Sequence, residues 1–298
     1  MNLEEYRANH RTVTTEHGDF AYLDIGEGPP AVFVHGLFVS SYLWRDAIEA
    51  VTDQRRCIAY SLPHHGGSTV PDDQDLSMKA QGEMLGSFID GLGLDRVDLV
   101  GNDTGGGVVQ VFAARNPEQV RSIVLTNCEA RDVLPSPSDI AKLVSDLAAK
   151  GELAPIMVQQ AQDYSIARSK VGLGAGFAQP ERLTDDDIRG YIEPHQATLE
   201  SARRLEDFIN AMDNADLIEI IPLLERLDAP MLCVWGTADV VFPTELAHWL
   251  RDTVPGCEEV VEVDGGELFW PGEQPGELVA PLRRFWSETV DRAEAATA

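Results

Sequence analysis

The chain has 298 residues, 44% of them apolar, with 50 acidic residues against 23 basic ones and a net charge of −27. That length fits one large domain or a core carrying an insertion, and the charge argues against nucleic acid and anionic membrane as partners. No apolar run reaches the roughly 20 residues of a membrane span, and the opening "MNLEEYRANHRTV" has no apolar signal region, so a cytoplasmic protein, monomer or homodimer, is expected.

In chain order, "RTVTTEHGDFAYLDIG" (11–26) alternates polar and apolar residues, which predicts an antiparallel edge hairpin turning around His17, Gly18 and Asp19. Buried-strand candidates follow at 31–36, 56–62, 97–101, 122–127, 231–236 and 259–264. Helical patterns lie between and after them at 41–51, 77–92, 105–115, 244–253 and 274–290. This alternation is the mark of an α/β fold with a mostly parallel sheet, whose ligand site belongs beyond the C-terminal ends of the strands. The stretch 131–222 breaks the rhythm, with Pro135 and Pro137, no strand-like run and the flexible "GLGAGF". It reads as a helical cap inserted into a core made of 1–130 and 223–298. Cys57, Cys128, Cys233 and Cys257 lack CxxC spacing and read as buried small side chains, and no histidines show metal-ligand spacing. Neither a disulfide framework, a metal nor a cofactor is expected.

The stretch that carries chemistry is "VDLVGNDTGGG" (97–107), a strand feeding a tight turn that opens directly into a helix. Gly101 and Gly105 frame it as G-x-Nuc-x-G, with Asp103 at the tip where a strained backbone presents the side chain. The helix dipole is expected to keep that carboxylate ionised.

With "HG" at His35-Gly36, "PHHGGS" (63–68), "GTADVVFP" (236–243) and "GEQP" (272–275) in this order, the chain resembles the α/β-hydrolase superfamily. The likeness runs from about residue 20 to 286, and the elbow resembles the branch of haloalkane dehalogenases and epoxide hydrolases. It implies an eight-stranded, mostly parallel sheet with an inserted helical cap. It makes Asp103 the nucleophile, the N–H groups of Leu37 and Thr104 the oxyanion hole, and Asp239 the acid that orients a catalytic histidine. That histidine is missing: Leu268 stands in its slot, and the sequence has no histidine after His248.

An Asp nucleophile suits displacement at an sp³ carbon, leaving an alkyl ester that an imidazole-activated water normally hydrolyses. Substitute bases or substrate contacts are sought in His35, His64 and His65, more remotely in His195, while Glu267 is expected to point away. Tyr164 and Tyr191 are the cap phenols, and Phe38, Phe269 and Trp270, with Trp44 and Phe177, are the apolar wall. The family's paired halide donors are gone, replaced by Thr104 and Leu37-Phe38. Two enzyme readings stand: a hydrolase acting on a small, largely apolar molecule with a degenerate triad, or an isomerase, cyclase or lyase using Asp103 as general base. A non-catalytic small-molecule binder is the third reading.

Overall fold

Apolar runs long enough to be buried on both faces become the strands of one eight-stranded sheet in the computed structural model, which describes residues 1–297. The strands are β1 (His10–Thr15), β2 (Gly18–Ile25), β3 (Pro30–Val34), β4 (Arg56–Tyr60), β5 (Val97–Asn102), β6 (Val120–Thr126), β7 (Met231–Gly236) and β8 (Cys257–Val263). Their spatial order is β1-β2-β4-β3-β5-β6-β7-β8. β2 runs antiparallel to β1 and β4, and the remaining pairs are parallel. This is the α/β-hydrolase fold expected from the sequence.

Strand pleating sends alternate residues into two cores. Val32 and Val34 of β3 pack with the helices Met78–Gly91 and Thr104–Arg115, while Ala31 and Phe33 pack with Trp44, Leu282 and Trp286 on the other face. β5 and β7 are buried along their whole length, so the centre of the sheet is rigid where the elbow leaves it. The β1–β2 turn falls at Glu16–His17, slightly before its expected place, because Gly18 already pairs with Thr15. A short helix, Leu3–Ala8, was not anticipated. Its apolar pattern amounts to Leu3 and Tyr6, and an Asn2–Glu5 capping box fixes its start.

Between β6 and β7 the chain leaves the sheet and forms the helices Asp139–Lys150, Leu153–Gln162, Tyr164–Arg168, Asp185–Gln196, Leu199–Ala211 and Ala215–Leu224. Ser138, Thr184 and Thr198 cap three of them through their hydroxyls. Polar ties hold this insertion down. Ser40 donates to the Gly190 carbonyl (2.8 Å), Arg45 pairs with Asp187 (2.6 Å), and Glu273 accepts from the amides of Ala178 and Gln179 (2.9 and 2.6 Å). No helix among the described residues is long and apolar enough to cross a membrane.

Candidate active site

β5 ends at Asn102 and a helix begins at Thr104, so Asp103 must turn the chain alone, at φ 53° and ψ −136°. That left-handed backbone is costly for a non-glycine residue and is tolerated because strand and helix fix it from both sides. A Cβ on Gly105 would strike the carbonyls of Val34 and His35, and one on Gly36 would overlap the Asp103 side chain itself. The glycine after His35 is therefore explained by the aspartate it has to clear.

The Asp103 carboxylate lies on the floor of a cavity of about 650 Å³. Its Oδ2 accepts the Leu37 N–H at 2.8 Å, and the Thr104 amide also favours the charged form. These donors do not keep the carboxyl at its ordinary acidity, as the helix dipole alone led one to expect. Burial, then the neighbouring Glu129 charge, hold its pKa well above the usual carboxylate range.

Glu129, which sequence reasoning missed, follows β6 and is buried. Its Oε1 accepts the Thr104 hydroxyl at 3.1 Å, while its Oε2 has no partner. Desolvation raises its pKa to about 7. The available signal was a lone acidic residue just past an apolar strand, at the edge where the ligand site of such sheets lies. Asp239 is raised by burial to about 6 despite accepting from Asn127 Nδ2 (3.0 Å) and the Val241 amide (2.8 Å). Three buried carboxyls thus lie at one site with no buried cation among them, and their mutual repulsion adds to burial in raising the pKa of Asp103 and Glu129.

Asn127 is a second residue the sequence reading passed over. Its Oδ1 accepts the Gly236 amide (2.7 Å) and the Trp270 indole N–H (2.8 Å), while its amide nitrogen donates to Asp239. Trp270 is therefore a strut that positions the acid loop, and it does not line the cavity as expected. Leu268 does line it, with its carbonyl accepting from Asn102 Nδ2 at 3.0 Å.

The histidines do not supply a base at the cavity. His35 is fully buried, with Nδ1 on the Gly36 carbonyl (2.8 Å) and Nε2 accepting the Leu62 amide (3.1 Å), which commits both nitrogens. His65 holds the Pro63 carbonyl through Nδ1 (2.8 Å) and packs between His35, edge-on, and His195, tilted, with ring centroids 5.2 and 4.6 Å away. Burial lowers His35 to about 4 and His195 to about 3, so this column is neutral packing between core and cap. His64 stands outside the cavity lining near Arg204 and Asp72, lowered to about 4 by desolvation.

The expected aromatic wall is also corrected. Phe38 and Phe269 line the cavity; Tyr164, Tyr191, Phe177 and Trp44 do not. Tyr191 is buried with its hydroxyl accepting from Arg45 (2.8 Å), and Phe177 stacks on it. Glu267 points to Lys170, at 2.9 Å. Thr104 turns its hydroxyl to Glu129 and its amide to Asp103. The four cysteines are free and buried, and no cluster of metal-ligating side chains occurs among the described residues.

Comparison with known proteins agrees with this architecture. A family model described as the alpha/beta hydrolase fold matches residues 29–151. Haloalkane dehalogenase 2 of Mycobacterium tuberculosis is 26% identical over 288 residues, covering 93% of this chain and 94% of that protein. The haloalkane dehalogenase of Agrobacterium fabrum is 28% identical, covering 88% and 86%. A protein of Shewanella oneidensis named as a cis-3-alkyl-4-alkyloxetan-2-one decarboxylase is 25% identical, covering 90% and 85%. Among solved structures, a haloalkane dehalogenase from Agrobacterium tumefaciens superimposes with a TM-score of 0.80 at 23% identity, covering 94% of this chain and 96% of that one. An epoxide hydrolase does so at 0.78 and 20%, covering 94% and 98%. The chain thus has the α/β-hydrolase fold and, in sequence, is similar to haloalkane dehalogenases.

Proposed function

We propose that this protein is an α/β-hydrolase-fold enzyme acting on a small, largely apolar molecule, with Asp103 as nucleophile and a triad that lacks its histidine. The observation that supports this most is the Asp103 carboxylate on the cavity floor, with Oδ2 held by the Leu37 N–H at 2.8 Å. One oxygen is anchored in the oxyanion position and the carboxylate is presented to the ligand space, as in-line attack on a polarised carbon requires. Attack forms a C–O bond to Asp103 and breaks the bond to the leaving group, leaving an ester on the carboxyl. Hydrolysis of that ester needs a base, and Leu268 cannot accept a proton. Glu129 and Asp239 lie close by, but neither lines the cavity.

A second reading has Asp103 act as general base in a non-hydrolytic reaction. Two features favour it: the raised pKa of Asp103, which makes the carboxylate a better proton acceptor, and similarity to a relative named as a decarboxylase.

Intact-protein mass spectrometry after incubation with alkyl halides and epoxides separates the two. The nucleophile reading predicts one adduct per chain that accumulates, is absent from Asp103→Asn and maps to Asp103. Leu268→His is expected to release that adduct and give turnover, with Asp239 receiving the imidazole. No adduct under any of these reagents sinks the nucleophile and leaves the base reading.

A further inference from the structure

The cavity above Asp103 has two unlike ends. The floor carries the Asp103 carboxyl, whereas the cap side is mostly aliphatic, with Leu147, Ile156 and Met157 from its first two helices beside Gln159 and Gln160. Aromatic rings reach it only through Phe38 and Phe269. Flat aromatic ligands gain from ring-on-ring contact, and a wall this aliphatic rewards methylene groups instead. Lys170, the cation in the lining, is tied to Glu267 at 2.9 Å and to the Phe177 carbonyl at 2.5 Å. An anionic head group therefore finds its cation taken and meets Asp103 and Asp139 in the same lining.

Leu143 and Val171 line the cavity yet are 57% and 84% exposed. The mouth therefore opens between the helix Asp139–Lys150 and the segment around Val171, and its rim is apolar. At about 30 Å³ for a water-sized group, the cavity's 650 Å³ accommodates roughly 20 non-hydrogen atoms. That is far more room than a short substrate fills.

We propose that the ligand is a neutral molecule carrying a long aliphatic chain. Its reacting carbon sits at Asp103, and its chain runs past Met157 and Leu147 to the rim at Leu143 and Val171. The orientation rests on Asp103 being the reacting residue; the affinity for the chain does not.

The test is calorimetric titration of the full-length protein with straight-chain primary alcohols from hexanol to dodecanol, which do not react with a carboxylate. Affinity is expected to tighten about fourfold per added methylene. The fatty acid of equal length is expected to bind at least tenfold more weakly, and a polycyclic aromatic alcohol of equal size to show no such gain. Leu143→Asp, at an exposed position, should weaken dodecanol about tenfold and leave hexanol within twofold. A flat dependence on chain length, or tighter binding of the fatty acid or the aromatic alcohol, overturns the proposal. These titrations need no covalent step. An intact alcohol series without any mass adduct removes the nucleophile and keeps the ligand class, and the reverse pattern does the opposite.

Discussion

Asp103 was legible in the sequence because glycines on both sides announce a position that only a strained turn requires. Its chemical state was not. The helix dipole is worth a fraction of a kcal/mol to about 2, and burial beside Glu129 outweighs it. Glu129 carries a testable consequence of that burial. Its folded pKa of about 7 exceeds its ordinary 4.5, so the native state binds the proton more tightly than the unfolded chain does. The stability this confers is present at low pH and is lost as pH rises from about 4.5 through 7. Replacing Glu129 by Gln keeps the amide within reach of Thr104 and removes the titration. Relative to wild type, Glu129→Gln is therefore expected to gain stability steadily as pH rises from 5 to 8. Urea denaturation of both proteins at the two pH values measures it. A stability gap that does not change with pH would mean Glu129 titrates as a solvated carboxyl.

At the scale of elements, strands and helices followed from periodicity because a parallel sheet covered by helices buries each strand on both faces and leaves a readable apolar run. The elbow is where two elements meet most tightly. The helix Thr104–Arg115 starts one residue after Asp103, and Gly105 lies against the carbonyls of Val34 and His35 at the end of β3. A methyl group there meets rigid backbone on a fully buried sheet. Gly105→Ala is accordingly expected to cost about 3 kcal/mol or more, or to prevent folding. Thermal melts of the purified variant check this, and a near-wild-type midpoint would show that the helix can slide away from β3. The helices of the cap were legible only as a region, since short turns and hydroxyl caps rather than strands separate them.

For the whole molecule the decisive quantity is charge. The 50 acidic residues exceed the basic ones by 27, and self-repulsion of that size destabilises the compact state at low ionic strength. Raising NaCl from about 10 mM to about 0.5 M shortens the screening length to a few ångströms, and the melting midpoint is expected to rise by about 2–4 °C. A falling midpoint would instead give the larger share to exposed ion pairs such as Arg283–Asp53 and Arg284–Glu259, which salt weakens. The same surplus of carboxylates extends to the cavity, where Asp103 and Asp139 share the lining with the paired Lys170.

The sequence by itself determined the sheet, the inserted helical region and the aspartate at the elbow. Each of these is a local matter of period, glycine placement or motif order along the chain. Tertiary structure alone decided which side chains share the site. Glu129 and Asn127 come to Asp103 and Asp239 across neighbouring strand ends, whereas Tyr191, Trp270 and the three adjoining histidines turn into packing. The physical reason is that burial sets both acidity and orientation in this site, and burial is a property of neighbours distant in the chain. Spacing in sequence does not record it.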